Sequence, residues 1–254
     1  MVHRRLTSEE TEAARIAKSA AVQRHGNLRP GDNVDLLVSK LTEAASKGRP
    51  PVYVECGVFT GSAFMAVKEH LDAVASDYRM FGVDSFEGFP TGVVDHHDHP
   101  ENFLTQHRAG QISDACLEMA KARTSDFTDV SHLTCEYFRR DDLISMHMER
   151  LSGQDRARVV VGAFSASLDS LACDEIDVLF LDCDLYESYK ICLEKLFDRI
   201  VPGGVVVFDE VYSYKYPGAR DAVMEFFSDK MHLGRFEVFT HPEPFERWCF
   251  VRNE

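Results

Sequence analysis

Short apolar runs alternate with helix-forming segments along most of this chain, and no other feature limits the fold as strongly. The run at 176–182, IDVLFLD, is almost continuously apolar, as expected of a strand buried on both faces. Comparable runs lie at 52–56, 80–84, 158–162 and 205–209, with predicted helices at 62–75, 186–199 and 218–229. Strands that alternate with helices connect through right-handed crossovers into a parallel sheet covered on both faces. The sequence therefore predicts an α/β fold.

Both ends of the chain extend this pattern. Two helices are predicted within residues 1–49: one at 7–24, where Thr7 and Glu10 suit a capping box, and one at 33–47. Near the other end, RFEVFT and ERWCFVR are predicted strands joined by the turn HPEPF at 241–245, which makes an antiparallel hairpin. We therefore expect a mostly parallel sheet of seven strands with an antiparallel hairpin at one edge.

The long stretch at 85–157 interrupts the alternation. It contains the polar run DHHDHPENF and at least two helical patterns. Long connections in compact domains are usually functional or disordered, so we interpret this stretch as an insertion or lid that forms the acceptor region. A length of 254 residues is compatible with a single domain over 1–254.

The net charge of −14 argues against a nucleic-acid partner, because that affinity comes mainly from clustered Lys and Arg. The seven cysteines are scattered and form no CxxC pair, which fits a reducing cytoplasm. No apolar stretch has the length of a signal-peptide core at the N-terminus, or of a membrane span elsewhere. We expect a cytoplasmic protein with no membrane partner.

The turn after the first strand, ECGVFTG at 55–61, is the first candidate binding element. Gly57 and Gly61 allow a ligand to approach the backbone closely, but the spacing is not GxGxxG, and Glu55 precedes the first glycine. A carboxylate there repels a pyrophosphate and favours a cationic ligand. The turn therefore indicates the cationic methionine end of S-adenosylmethionine, and a plain tight turn is the alternative.

Asp84 ends the second strand, where an acid can accept both ribose hydroxyls of an adenosine. A turn-capping role is the alternative for this side chain. After the third strand, Gly162 and Phe164 stand where the adenine ring is expected to pass, although a phenylalanine in the core fits the same position.

Two acidic pairs follow the next two strands: Asp182 and Asp184 in LDCDLYES, then Asp209 and Glu210 in VFDEVY. Carboxylates this close repel one another unless a cation or a shared proton compensates, and Mg²⁺ prefers oxygen ligands. We predict a Mg²⁺ site at Asp184, Asp209 and Glu210. Helix capping by the two aspartates, with a solvated Glu210, is the alternative.

A sugar or aliphatic hydroxyl is a poor nucleophile until its proton is removed. Asp184 is the predicted catalytic base, acting as ligand, base or both. His96, His97 and His99 in the polar loop are rival bases because they titrate near neutral pH, although such a run also suits a solvated loop.

The segments YVECGVFTGSAF, FGVDSFEGFP, LFLDCDLYESY and PGGVVVFDE together resemble the macrocin O-methyltransferase family over about residues 50–251. Its members methylate deoxysugar hydroxyls of antibiotics, and a rhamnose methyltransferase of the calicheamicin type is the relative we expect. The resemblance implies a Rossmann-like class I methyltransferase fold, S-adenosylmethionine as donor, a homo-oligomer and a glycoside acceptor.

The resemblance also implies a Mg²⁺ held by Asp184, Asp209 and Glu210, with Asp184 as general base. Glu210 stands where the best-known members have aspartate, which lengthens one ligand arm. Further positions in these segments complete the predicted cofactor site: Phe59, Thr60, Ser62, Ser85, Phe86, Gly88 and Asp182.

Three other functions compete. A metal-dependent O-methyltransferase of phenols or catechols requires an apolar, aromatic acceptor pocket, whereas a sugar calls for polar side chains such as those at 95–107. A dehydrogenase requires a nicotinamide cofactor, against which Glu55 argues. A non-catalytic S-adenosylmethionine-binding assembly protein binds the cofactor without turnover.

Overall fold

A sheet of eight strands organises the part of the chain that the computed structural model describes, namely residues 1–26, 28, 29, 31, 33–90, 94–134, 140, 142–240 and 246–254. In chain order the strands are β1 (Val2–Arg4), β2 (Val52–Cys56), β3 (Arg79–Asp84), β4 (Ala157–Val161), β5 (Ile176–Leu181), β6 (Ile200–Phe208), β7 (Gly234–Thr240) and β8 (Glu246–Arg252). Their order in the sheet is β1-β7-β8-β6-β5-β2-β3-β4. Only β8 is antiparallel to its described neighbours. The predicted α/β class, with a mostly parallel sheet and an antiparallel pair near the end of the chain, is confirmed.

The strand count differs from the predicted seven, because β1 adds an eighth. Its three residues pair in parallel with β7, and the Arg4 guanidinium lies 3.4 Å from the Glu237 carboxylate. A segment of three residues is too short to show the alternating pattern of a strand in the sequence. Its extended conformation depends on pairing with the edge of β7. The predicted turn at 241–245 lies outside the described residues.

Nine α-helices are assigned among the described residues: α1 (Ser8–His25), α2 (Asn33–Ala45), α3 (Ser62–Val74), α4 (Asn102–Arg108), α5 (Asp114–Arg123), α6 (Leu143–Arg150), α7 (Phe164–Ser167), α8 (Tyr186–Leu196) and α9 (Pro217–Phe227). The capping box predicted for α1 is present: Thr7 Oγ1 accepts the Glu10 amide, and the Glu10 carboxylate accepts the Thr7 amide. None of the described helices combines the length and the apolarity that a membrane span requires.

The helices cover the sheet in two layers. Along β2 the side chains alternate: Val54 and Cys56 pack with α8 and α9, whereas Tyr53 packs with α1, α2 and α3. Each face therefore has its own apolar core, as expected for a largely parallel sheet.

The stretch at 85–157 carries α4, α5 and α6 and has a small apolar core of its own around Phe103 and Leu117. Asp221 of α9 attaches it to the sheet-covering helices, since its carboxylate accepts from His97 Nδ1, Asn102 Nδ2 and Gln106 Nε2 at 2.7, 2.7 and 2.8 Å. The polar loop at 95–107 is thus held against α9.

Strand order reverses between β2 and β5. The chain proceeds outward from β2 through β3 to β4, and then returns to the other side of β2 at β5. Helices that connect strands on opposite sides of such a point leave a crevice at the carboxyl ends of the two strands. That crevice is where a ligand site is expected.

Candidate active site

A cavity of about 850 Å³ opens at the carboxyl ends of β2, β3, β5 and β6, a volume typical of cofactor sites. It brings together most of the residues predicted from sequence: Gly57, Phe59, Asp84, Ser85, Phe86, Gly88, Gly162, Phe164, Asp182, Asp184, Asp209 and Glu210.

A smaller cavity of about 290 Å³ adjoins it. Three other predicted cofactor residues line this second space rather than the first: Glu55, Thr60 and Ser62. Phe59, Asp182 and Asp209 line both cavities, so the two spaces meet at the acidic residues. Gly61 lines neither among the described residues and packs instead against His147.

Gly57 lies where β2 and β5 come closest. Its φ of +91° is left-handed, and a Cβ built on it would collide with the Asp182 carbonyl oxygen. Glycine is required here for both reasons. The segment 57–61, called the cofactor turn below, therefore passes directly over the end of β5.

Asp84 holds the cofactor turn from the strand side. Its Oδ2 accepts the amides of Val58 and Phe59 at 2.8 and 2.9 Å, and its Oδ1 accepts the Phe86 amide at 2.7 Å. The same half-buried carboxylate lines the large cavity. Asp84 thus performs the turn-capping role considered above, while its position remains suited to a ribose.

Glu55 lies beneath the turn with 1% of its surface exposed, and the Tyr53 hydroxyl lies 2.5 Å from its Oε2. Burial raises the pKa of Glu55 to about 8, and the charges of Asp84 and Asp209 act in the same direction. Glu55 is accordingly mostly protonated near neutral pH in the cofactor-free protein.

The acid cluster consists of Asp182, Asp184, Asp209 and Glu210. Burial raises the pKa of Asp182, Asp184 and Glu210, and the charge of Asp209 raises each of them further. Below the cluster, the Tyr189 hydroxyl donates to Glu210 Oε2 at 2.7 Å, so Glu210 is buried and not solvated.

The closest set of carboxylate oxygens in this cluster differs in one member from the predicted metal ligands. Asp182, Asp209 and Glu210 offer oxygens within 4.8 Å of one another, and Asp184 is not in that set. Asp184 stands three residues beyond the end of β5 in a left-handed conformation, φ 60°, where its carboxylate hydrogen-bonds with that of Glu210 and Lys215 is its cationic neighbour.

The cavity also contains residues that sequence reasoning missed. Glu187, Ser188 and Ile191 lie at the start of α8, and Lys215 and Tyr216 precede α9. Among the described lining residues, Lys215 is the one cation, against seven carboxylates. The helical spacing after DLYES could have indicated the α8 residues, but nothing in the sequence marks Lys215.

The loop histidines stand elsewhere. His97 donates from Nδ1 to the Asp221 carboxylate and stacks on Tyr186 at a centroid distance of 4.1 Å, and the His96 side chain is 84% exposed. None of His96, His97 and His99 is among the described residues that line the cavity. Tertiary packing therefore assigns His97 to the attachment of the loop, which sequence reasoning could not foresee.

The fold and the cavity together define a Rossmann-like α/β protein with an acid-lined cavity at the reversal of strand order. A family model described as a methyltransferase domain matches residues 54–211, and the chain belongs to that family.

Curated relatives of this chain are O-methyltransferases. One, from Streptomyces olivaceus, is named 8-demethyl-8-(2,3-dimethoxy-alpha-L-rhamnosyl)-tetracenomycin-C 4'-O-methyltransferase and is 29% identical over 196 residues, 77% of this chain and 64% of the relative. Another, mycinamicin III 3''-O-methyltransferase from Micromonospora griseorubida, is 26% identical over 72% of this chain and 63% of the relative. The matches thus span less than two thirds of each relative's length.

Solved structures show the same fold. The O-methyltransferase NovP has a TM-score of 0.62 at 18% identity, covering 97% of this chain and 98% of NovP. The calicheamicin methyltransferase CalS11 has a TM-score of 0.52 at 18% identity, covering 98% of this chain and 94% of CalS11. The predicted resemblance to antibiotic sugar O-methyltransferases is confirmed.

Proposed function

We propose that this protein is an S-adenosylmethionine-dependent O-methyltransferase that methylates a sugar hydroxyl of a glycosylated natural product. The observation that carries the proposal is the acid-lined cavity at the reversal of strand order, closed on one side by the cofactor turn. The names of the relatives from Streptomyces and Micromonospora support the sugar acceptor.

The charge of the cavity supports this cofactor. Seven carboxylates and one lysine among the described lining residues favour a sulfonium and an ammonium group over a pyrophosphate. Asp84 stands at the end of β3, where a ribose is expected, and Gly162 and Phe164 stand beyond β4 for the adenine. This pattern disfavours a dehydrogenase.

S-adenosylmethionine supplies an electrophilic methyl group when bound. The chain's part is to orient the acceptor hydroxyl and to take its proton. We assign this step to Asp184, because it lines the cavity and its pKa is raised by burial and by Asp209. Lys215 opposes that rise and favours the ionised, proton-accepting form.

The acid cluster also fits a divalent metal. Asp182, Asp209 and Glu210 offer hard oxygen donors, and their mutual repulsion is relieved when a cation lies among them. We propose these three as ligands, with Asp184 at the acceptor side. A bound Mg²⁺ supplies a Lewis acid that lowers the pKa of a coordinated hydroxyl.

The cavity wall combines polar and aromatic groups. Ser188, Glu187 and Lys215 offer hydrogen bonds near Asp184, whereas Phe89 and Tyr216 form an edge-to-face pair at 6.2 Å. A sugar attached to an apolar aglycone suits this combination. The aromatic pair also favours a second candidate, a phenolic acceptor, especially since the polar loop at 95–107 does not supply described lining residues.

Titration calorimetry of the purified protein with S-adenosylmethionine tests the cofactor. We expect binding heat and thermal stabilisation that grows with cofactor concentration. NADH in the same assay is the control. Absence of both signals with S-adenosylmethionine contradicts the proposal.

A screen of glycosides and matched phenols with labelled S-adenosylmethionine then tests the acceptor. Label transfer to a glycoside but not to its aglycone supports the sugar acceptor, and transfer to phenols supports the second candidate. Cofactor binding with no transfer across the panel identifies a non-catalytic binding protein. A homo-oligomer and a cytoplasmic location remain predictions.

The metal is tested separately. We expect chelation to lower turnover at least tenfold and added Mg²⁺ to restore it. A rate that is unchanged after thorough chelation contradicts a catalytic metal but leaves the methyltransferase proposal intact.

A further inference from the structure

Helix α6, far from the cofactor turn in sequence, contacts its backbone directly. His147 Nε2 lies 2.7 Å from the Phe59 carbonyl oxygen, and Arg150 donates from Nη1 to the Thr60 carbonyl oxygen at 2.7 Å. The His147 side chain fits against Gly61, where a Cβ would lie 2.5 Å from the imidazole Cε1. With 1% of its surface exposed, His147 is enclosed by the turn it contacts.

The same imidazole also packs on the loop after β3. The Phe86 ring lies 5.3 Å from the His147 ring, centroid to centroid. Phe59 and Phe86 are both left-handed, with φ of 44° and 57°, and both line the large cavity. Such conformations are unfavourable for phenylalanine and persist only when neighbouring groups hold them.

These neighbours act from opposite sides. Asp84 accepts the amides of Val58, Phe59 and Phe86, which fixes the N–H groups of both loops. His147 and Arg150 satisfy the carbonyl groups of the cofactor turn. The turn's conformation therefore depends on α6 as well as on the strand end.

We propose that His147 and Arg150 are positioning residues that keep the cofactor turn and the Phe86 loop in the conformation that binds S-adenosylmethionine. Because both act through the protein backbone, neither is a catalytic residue. The inference rests on the proposed function and makes cofactor affinity depend on a helix of the acceptor region.

The protonation state of His147 suggests isosteric tests. The Phe59 carbonyl only accepts, so Nε2 carries the proton, while the buried Nδ1 has no hydrogen-bond partner among the described residues. Burial lowers the pKa of His147, which favours the neutral ring. A glutamine amide reaches the position of Nε2, whereas an asparagine amide reaches only that of Nδ1.

The experiment compares binding of S-adenosylhomocysteine to the full chain by calorimetry. We expect His147→Phe and His147→Asn to weaken binding roughly tenfold through loss of a buried hydrogen bond, and His147→Gln to stay within about threefold. Arg150→Met should weaken binding severalfold. Met148→Ala, on the same helix with a side chain 60% exposed, is the matched control and should bind like wild type.

A second pair of variants tests the packing. Gly61→Ala should weaken binding because of its φ of +74° and the contact with His147. In a His147→Ala background the contact is absent and only the strain of the positive φ remains, so the added effect of Gly61→Ala should be smaller. Equal effects in both backgrounds contradict the proposed contact.

Folded His147→Phe protein that binds like wild type overturns the inference, as does equal affinity of the Gln and Asn variants. If wild type itself does not bind S-adenosylhomocysteine, the proposed function fails instead. In that case, hydrogen exchange of the backbone amides at 58–61 tests the positioning role independently of cofactor binding. Exchange should be faster in His147→Phe than in wild type and in His147→Gln. Equal exchange rates in the three proteins contradict the positioning role.

Discussion

At the scale of single residues, Asp184 is the side chain on which the proposed chemistry depends. It lines the cavity three residues past the end of β5, in a left-handed conformation, and its carboxylate hydrogen-bonds with that of Glu210. Asp182, Asp209 and Glu210 form the candidate metal group, and Asp184 is the candidate base beside it.

Asp184→Asn tests that division. We expect turnover to fall by about 10² to 10⁴, because an amide cannot take the acceptor's proton, while cofactor affinity stays within a few-fold. Labelled-donor turnover and calorimetry measure the two quantities. Ser165→Ala, at another lining position, serves as control. A normal rate in Asp184→Asn eliminates the assigned role.

Glu55 is the second residue whose environment has a measurable consequence. Its pKa in the fold is about 8, against an ordinary value of 4.5, so the protonated form stabilises the fold. That contribution is complete below about pH 4.5 and is lost as the pH rises through 8.

Glu55→Gln should therefore make the cofactor-free protein less sensitive to alkaline pH. Between about pH 6 and 8, wild type should lose roughly 3 kcal/mol of unfolding free energy relative to the variant, since one pKa unit corresponds to about 1.4 kcal/mol. Urea unfolding at several pH values measures the difference. Parallel curves for the two proteins would show that Glu55 ionises normally.

At the scale of elements, the insertion is attached through few side chains. Asp221 of α9 accepts three hydrogen bonds from the 95–107 region, and Asp98 accepts the Tyr186 amide at the start of α8 at 2.8 Å. Burial raises the pKa of Asp98 to about 7. The attachment thus joins the insertion to both α8 and α9.

Asp221→Ala should destabilise the protein by about 1–3 kcal/mol, because it leaves the partly buried donors of His97, Asn102 and Gln106 without an acceptor. Urea unfolding and amide exchange over 95–108 measure the effect. Asp114→Ala is the matched control: it also removes an acid–histidine pair, with His107, but the Asp114 side chain is 96% exposed, so a change within about 0.5 kcal/mol is expected. Similar losses in the two variants would argue against the attachment.

At the scale of the whole molecule, the net charge of −14 favours unfolding through self-repulsion. Raising salt from about 0.01 to about 0.15 M shortens the Debye length from about 30 to about 8 Å. We expect the Tm of the cofactor-free protein to rise by a few degrees over this range, as measured by calorimetric scans. Choline chloride in place of sodium chloride controls for specific cation binding in the acid cluster; a Tm that falls in both salts contradicts the expectation.

Sequence alone determined the class of fold and about half of the described residues that line the large cavity. Apolar runs and turn residues are local signals, and in a parallel sheet every strand ends at the same edge. The sequence therefore predicted that the glycines, Asp84 and the acidic pairs lie close together at one edge of the sheet. The resemblance of the motifs to a known family then indicated their chemistry.

Only tertiary structure decided contacts between segments that carry no local signal. Four features depend on packing between residues distant in sequence. They are the edge strand β1, the contact of α6 with the cofactor turn, the position of Lys215, and the presence of Asp182 instead of Asp184 among the three acids whose oxygens lie within 4.8 Å of one another. Such contacts depend on the complementary shapes of the packed elements and on the polar groups that remain unpaired once the strands and helices have formed. The periodicity of apolar residues along the chain specifies neither the shapes nor the pairing of those groups.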